Sequence, residues 1–103
     1  MVHRYIFVKL KDAYANSSGR KEVVRETLET LPKCEGVVSV SSGVPSDPES
    51  EKAWDVHIIV GFNNQDAVAT YIIDPVHQKY VTTFLKPRTE VKKAWNFEVT
   101  TAS

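Results

Sequence analysis

The first strand of the chain carries apolar side chains on both faces, and this constrains the fold more than any other feature. Residues 2–10 alternate as a strand does, with one face made of His3, Tyr5, Phe7 and Lys9 and the other of Val2, Arg4, Ile6, Val8 and Leu10. A later strand, Trp54–Phe62, is apolar on one face and adds His57 and Ile59 to the other. A sheet built from such strands needs cover on both sides.

The remaining periodicities predict the elements that could supply this cover. The first is a helix that follows Asn16–Gly19 and ends at Pro32 and Gly36, and a strand at Val37–Val44 and a polar loop at Pro45–Glu51 come after it. The Trp54–Phe62 strand is followed by a helix at about Gln65–Ile73 and a second helix at Pro75–Leu85 that Pro87 interrupts. The last element is a strand at Val91–Thr100, with Trp95, Phe97 and Val99 on one side. This β-α-β-β-α-β order predicts an α+β fold, the ferredoxin-like split βαβ with a four-stranded antiparallel sheet. Helices cover one face of such a sheet, so we expect a homodimer in which two sheets pack face to face as a dimeric α+β barrel.

Length and charge exclude several functional classes. The chain has 103 residues, which predicts a single domain spanning residues 1–103. It has 13 Lys and Arg against 13 Asp and Glu and no clustered basic run, so we expect no nucleic-acid partner. No apolar run approaches the length of a bilayer span, and the first residues lack the apolar core of a signal peptide. We therefore expect no membrane association and a cytoplasmic location, and the single Cys34 excludes an internal disulfide.

A proline separates a tyrosine from a histidine in the segment Tyr71-Ile72-Ile73-Asp74-Pro75-Val76-His77. Pro75 suits the first turn of a new helix, and the residue before it is biased away from helical geometry. Tyr71 would then end one helix and His77 would begin the next, with both facing one cleft. An imidazole accepts a proton near neutral pH, and a tyrosine hydroxyl hydrogen-bonds a carbonyl oxygen that gains negative charge.

This pair predicts a catalytic base, His77, and a carbonyl-orienting donor, Tyr71. Such a pair suits enolisation or the intramolecular aldol closure of a polyketone. The structural alternative is that His77 hydrogen-bonds Asp74 or a backbone group and holds the break in place, while Tyr71 packs with its hydroxyl at the surface.

Two of the three histidines fall on the sheet face that also carries aromatic residues. Apolar walls with a few polar groups are typical of a ligand pocket, so the predicted ligand-binding residues are His3, Tyr5, Phe7, His57 and Ile59. The alternative is a pair of hydrogen-bonded interface histidines on neighbouring strands. No spacing of possible ligands matches a zinc pattern, so we expect neither a metal nor a cofactor.

The sequence resembles the stress-responsive A/B barrel family, also called the dimeric α+β barrel or Dabb domain, over nearly its whole length. The resemblance rests on His3–Leu10, on Asp55–Phe62 and above all on Tyr71–His77, which is similar to the family signature Tyr-x-x-His-Pro-x-His. Asp74 stands where the signature has its first histidine.

The resemblance implies three possible functions. The family includes boiling-stable plant stress proteins, members without assigned activity, and plant polyketide cyclases related to olivetolic acid cyclase. In those cyclases the residues that match Tyr71 and His77 are the catalytic pair, and histidines that match His3 and His57 also line the cavity. The leading hypothesis is a homodimeric stress-response protein whose cavity binds a small apolar or aromatic molecule. The alternatives are a cofactor-free polyketide cyclase or lyase and a non-catalytic structural stress protein.

Overall fold

The four strands form one antiparallel sheet with the N-terminal strand near its centre. The computed structural model describes residues 1–102, and its strands are β1 (Val2–Leu10), β2 (Val37–Gly43), β3 (Val56–Phe62) and β4 (Thr89–Glu98). They are arranged in the order β2-β3-β1-β4, and every neighbouring pair is antiparallel. The predicted ferredoxin-like α+β architecture is confirmed.

The first crossover helix, α1 (Ser17–Thr30), begins where the sequence offers a cap. The Asn16 side chain accepts a hydrogen bond from Gly19 N at 2.8 Å, which satisfies one of the free donors of the first turn. After a 3-10 turn at Leu31–Lys33 the chain reaches Gly36, whose φ of 83° lies in the left-handed region that glycine adopts without strain. The predicted end of this helix at Pro32 and Gly36 agrees with this path.

Helices cover one face of the sheet, and the core lies between them. The buried side chains of β1 and β3 that face the helices are Val2, Ile6, Val8, Val56, Ile58, Val60 and Phe62. Val23 of α1, Leu31 and Val68 belong to the same core and are fully buried. None of the described helices is long and apolar enough to cross a bilayer.

The other face, called the open face below, carries aromatic side chains, and only the short segment Pro48–Ala53 borders it among the described helices. It includes His3, Tyr5, Phe7, His57, Ile59, Trp95 and Phe97. Tyr5 and Phe97 meet edge to face with ring centroids 5.6 Å apart. Trp95 and Phe97 are 50% and 56% exposed. The open face is therefore a large apolar surface in water, as the alternation of β1 predicts.

Two predictions before β3 are wrong. The polar loop expected at Pro45–Glu51 contains instead the start of a short helix, α2 (Pro48–Ala53), because Asp47 caps it by accepting from Ser50 N at 2.7 Å and Pro48 suits its first turn. The strand begins at Val56 rather than Trp54, because Asp55 turns inward and is buried. Trp54 therefore packs against Phe7 of the open face, with ring centroids 5.8 Å apart, and does not continue the core-facing alternation of β3.

The second helical region is longer than predicted and changes its geometry twice. Its segments are α3 (Gln65–Ile73), α4 (Pro75–Tyr80), a π-helical turn at Val81–Leu85 and α5 (Lys86–Arg88). Pro87 does not end the helix at Leu85, because it occupies the first turn of α5, where a missing N–H is tolerated. β4 consequently runs over Thr89–Glu98, two residues earlier than predicted at each end.

Candidate functional site

The break between α3 and α4 is built from a proline and a capping carboxylate. Asp74 has extended backbone geometry, and its Oδ1 accepts from Val76 N at 2.8 Å. Its Oδ2 accepts from Glu35 N at 3.2 Å and so joins the break to the loop before β2. These backbone donors, Glu35 N foremost, hold the pKa of Asp74 below its ordinary value. Asp74 thus caps α4 from the position where the family signature has a histidine.

The break also orients His77. Because α3 ends at Ile73, the carbonyl of Ile72 is free to accept side-chain hydrogen bonds, and it does so from His77 Nδ1 at 3.1 Å and from Gln78 Nε2 at 2.6 Å. A carbonyl oxygen only accepts, so Nδ1 carries the proton in the neutral ring. Nε2 is left with its lone pair and has no hydrogen-bond partner within residues 1–102.

Tyr71 and His77 lie against each other, with ring centroids 4.1 Å apart and planes at 41°. Tyr71 is 1% exposed, so the alternative that placed its hydroxyl at the surface is wrong. Phe62 of β3 packs edge to face on the same tyrosine at 5.1 Å. Burial raises the pKa of Tyr71, and its hydroxyl remains protonated at neutral pH. No hydrogen bond to this hydroxyl forms within the described part of the chain.

Both rings line a cavity of about 200 Å³ between the helices and the helix-side face of the sheet. Its apolar walls include Ile6, Leu31, Ile58, Val81, Leu85 and Ala94, and its polar groups include Arg4, Tyr71, His77, Gln78, Tyr80 and Lys92. It is smaller than the roughly 300–1,000 Å³ typical of ligand pockets, so it suits a molecule of about one ring.

The surroundings of His77 favour its neutral form. Burial is the largest cause that lowers the pKa of His77, and the positive charges of Lys92 and Arg4 lower it further. The Ile72 hydrogen bond and the Asp74 carboxylate act in the opposite direction and are outweighed. At neutral pH the ring is therefore a neutral imidazole with a free Nε2, the form that a general base requires.

Two cations at the cavity were not identified from the sequence. Arg4 lies on the helix-side face of β1, and Lys92 lies on the same face of β4, opposite Val8. The sequence could have indicated Arg4, because the alternation of β1 places this charged residue on a strand face that is otherwise apolar. Lys92 could not be found in this way, because its position depends on the register between β1 and β4.

The structure separates the predicted ligand-binding residues from the predicted catalytic pair. His3, Tyr5, Phe7, His57 and Ile59 all lie on the open face, on the opposite side of the sheet from Tyr71 and His77. None of the five lines the cavity of about 200 Å³. The expectation from the family resemblance that His3 and His57 share a cavity with the pair is therefore wrong, because strand alternation directs their side chains away from the helices.

A second depression, of about 310 Å³, lies on the open face beside α2. Phe7, Trp54 and His57 are among its lining residues, and His57 Nδ1 is buried there without a hydrogen-bond partner in residues 1–102. It is larger than the first cavity but holds no neighbouring pair of acid and base groups. Within the same residues, no three His, Cys, Asp or Glu side chains lie close enough together to hold a metal ion.

Comparison with known proteins identifies the family of the sequence. The family model described as the stress responsive A/B barrel domain matches residues 2–99. No curated protein matches the sequence.

Several solved structures resemble the chain over almost its full length. A protein of Arabidopsis thaliana has a TM-score of 0.81 and 19% identity, with 100% of this chain and 99% of that chain covered. A dimeric ferredoxin-like protein of unknown function from Bacteroides fragilis has a TM-score of 0.72 and 23% identity, covering 95% of each chain. A hydroxynitrile lyase from Passiflora edulis has a TM-score of 0.77 and 13% identity, with 99% of this chain and 95% of that chain covered. At such low identities these likenesses show the fold and not the activity.

Proposed function

The chain belongs to the stress responsive A/B barrel domain family, and we propose that it is a single-domain homodimer whose helix-side cavity binds a small apolar or aromatic molecule. One observation carries the proposal. The cavity of about 200 Å³ has aliphatic walls and the adjoining rings of Tyr71 and His77 at one side. Apolar walls with a few oriented polar groups are the usual composition of a small-molecule site.

A neutral single-ring probe tests this binding. We expect 4-methylphenol to shift the NMR resonances of Leu31, Tyr71, His77 and Leu85, because these residues line the cavity. Ala94→Leu should abolish these shifts, since Ala94 also lines the cavity and the larger side chain would fill it at a cost of about 1–3 kcal/mol in stability.

The matched control is Ala69→Leu, because Ala69 is exposed on α3 and does not line the cavity. This variant should bind the probe as the unchanged protein does. Shifts confined to the open face, or no shifts at millimolar probe, would contradict the proposal and favour the non-catalytic structural alternative.

A second candidate function, a cofactor-free lyase or cyclase, is favoured by the tautomer of His77. The Ile72 carbonyl holds the proton on Nδ1, so Nε2 is free to take a proton from a carbon beside a carbonyl group. The Tyr71 hydroxyl would donate a hydrogen bond to the oxygen on which the negative charge develops. In a polyketone the resulting carbanion would attack a second carbonyl carbon, and the new alkoxide would take back the proton. One protein of the same fold is named a hydroxynitrile lyase, so this fold supports a lyase elsewhere.

The homodimer is proposed because the open face needs cover. Its aromatic residues form a continuous surface, and a similar structure is described as dimeric. Trp95→Glu should leave the protomer folded, because Trp95 is 50% exposed within it. The same change should raise the dimer dissociation constant by about 30-fold or more, the equivalent of losing about 2 kcal/mol at an interface hot spot. Sedimentation velocity over a concentration series measures this.

Ile73→Glu is the control for this prediction, because Ile73 is an apolar residue that is 73% exposed on the helical side. This variant should sediment as a dimer. A monodisperse monomer for the unchanged protein at micromolar concentration would contradict the proposal. The cytoplasmic location belongs to the same proposal.

A further inference from the structure

The cavity that holds Tyr71 and His77 carries positive charge that nothing in its lining balances. Arg4 and Lys92 both line it, and none of the lining residues is Asp or Glu. Arg4 Nη1 donates to the neutral amide oxygen of Asn96 at 2.9 Å. Neither cation belongs to an ion pair within the part of the chain that the structure describes.

The carboxylate that acts on His77, Asp74, does not balance these charges. Asp74 approaches His77, but its two oxygens accept the backbone N–H groups of Val76 and Glu35. It does not line the cavity. No acidic side chain of the cavity lining therefore pairs with the two cations, and a ligand between the sheet and α4 could bind them.

Strand register brings the two cations to the same face. Lys92 pairs with Val8, and Asn96 pairs with Arg4, so the alternate residues of both strands point to the helices. Partial burial is the larger cause that lowers the pKa of Lys92, and the positive charge of Arg4 lowers it further. Arg4 is half-buried and Lys92 is exposed, so water reaches both charges, and an anion in the cavity would replace this water with charge-assisted hydrogen bonds to the two side chains.

We propose that Arg4 and Lys92 form the anion-binding end of this cavity, and that its ligand is a single-ring aromatic acid, or an apolar acid of similar size, bound through its carboxylate. The inference rests on the proposed function, because it assumes that a small molecule occupies the cavity. The aliphatic walls formed by Ile6, Ile58 and Leu85 would contact the apolar body of the acid. The volume of about 200 Å³ limits that body to about one ring.

Benzoate and benzamide test this inference, because they share shape and differ in charge. Isothermal titration at neutral pH should give a benzoate affinity about 10-fold to 100-fold higher than that of benzamide, the range expected for one hydrogen bond to a charged group. Lys92→Met should lower the benzoate affinity by at least about 10-fold and leave the benzamide affinity unchanged. Arg4→Met should act in the same direction, and Lys92→Met keeps the test valid if Arg4→Met does not fold.

Lys79→Met is the matched control, since Lys79 lies on α4 and does not line the cavity. It should bind both probes as the unchanged protein does. Equal affinities for the two probes, or benzoate binding that neither variant weakens, would overturn the anion-binding end and leave the proposed cavity function standing. If neither probe binds and 4-methylphenol also fails, the anion-binding end and the proposed function are both overturned.

Discussion

Asp55→Ala is expected to lower the free energy of unfolding by about 3–5 kcal/mol, the usual loss when one partner of a buried ion pair is removed. The Asp55 side chain is 7% exposed, and its Oδ1 accepts from Arg20 Nε and Nη2 at 3.0 and 2.8 Å. Its Oδ2 accepts from Leu10 N at 2.7 Å. The substitution leaves a buried N–H without an acceptor and leaves Arg20 with only the exposed Glu51.

Two further variants make this prediction specific. Asp55→Asn keeps an acceptor for Leu10 N and removes the charge, so its loss should be intermediate. Asp12→Ala removes an exposed carboxylate and should change stability by less than about 0.5 kcal/mol. Urea unfolding at one fixed protein concentration measures all three, because dimerisation would make the midpoint depend on concentration. A loss under about 1 kcal/mol for Asp55→Ala would contradict the prediction and mean that solvent screens the pair.

Asp55 also explains why one strand boundary could not be predicted from the sequence. The apolar alternation in the sequence is unbroken from Trp54 to Phe62, so it predicts a strand that begins two residues too early. The structure interrupts it because a carboxylate at position 55 gains three hydrogen bonds by turning inward. Their donors lie on β1 and α1, more than 30 residues away in the chain, so no local pattern reveals them.

The helix α2 is the opposite case, because a local capping signal in the sequence was sufficient to predict it. Asp47 followed by Pro48 is an N-terminal capping signal, and it predicts α2 as directly as Asn16 predicts α1. The break at Pro75 was predicted correctly, because a proline and the residue before it restrict the backbone locally. The π-helical turn at Val81–Leu85 has no comparable signal in the sequence.

The residues of the candidate site also differ in whether local sequence or tertiary contacts determine their positions. Tyr71 and His77 could be placed together from the sequence, since seven residues and one proline determine their relation. The position of His3 and His57 on the other side of the sheet follows from alternation, which shows that they share a face but not which face the helices cover. Arg4 and Lys92 meet only through the pairing of β1 with β4, and that register is a tertiary feature.

The chemical hypothesis can be tested with a simple enolisable ketone. Acetophenone is neutral, has one ring, and exchanges its α-protons slowly in heavy water. If His77 is a base, its Nε2 removes an α-proton while the Tyr71 hydroxyl donates to the enolate oxygen. The proton on Nε2 then exchanges with heavy water, and the ring returns a deuteron to the carbon. NMR follows the loss of the methyl signal, so no cognate substrate is needed.

His77→Ala should slow this protein-catalysed exchange by about 10²–10⁴-fold, the range typical of a lost general base. His3→Ala is the matched histidine control, because His3 lies on the open face, and exchange should continue in this variant. The rate for the unchanged protein should fall only below the ordinary histidine pKa of about 6.5, because the pKa of His77 is lowered and the protonated ring cannot act as a base.

Tyr71→Phe completes the test, because it deletes one hydroxyl and keeps the ring that packs on Phe62 and His77. We expect exchange to slow by about 10²–10³-fold, as for the loss of one oxyanion donor, and the melting temperature to stay nearly unchanged. The structural alternative predicts the reverse pattern. There, His77→Ala lowers the melting temperature, because it removes a side chain that binds the Ile72 carbonyl at the helix break, and neither substitution affects acetophenone exchange. That pattern would exclude the lyase or cyclase and leave a protein that only binds its ligand.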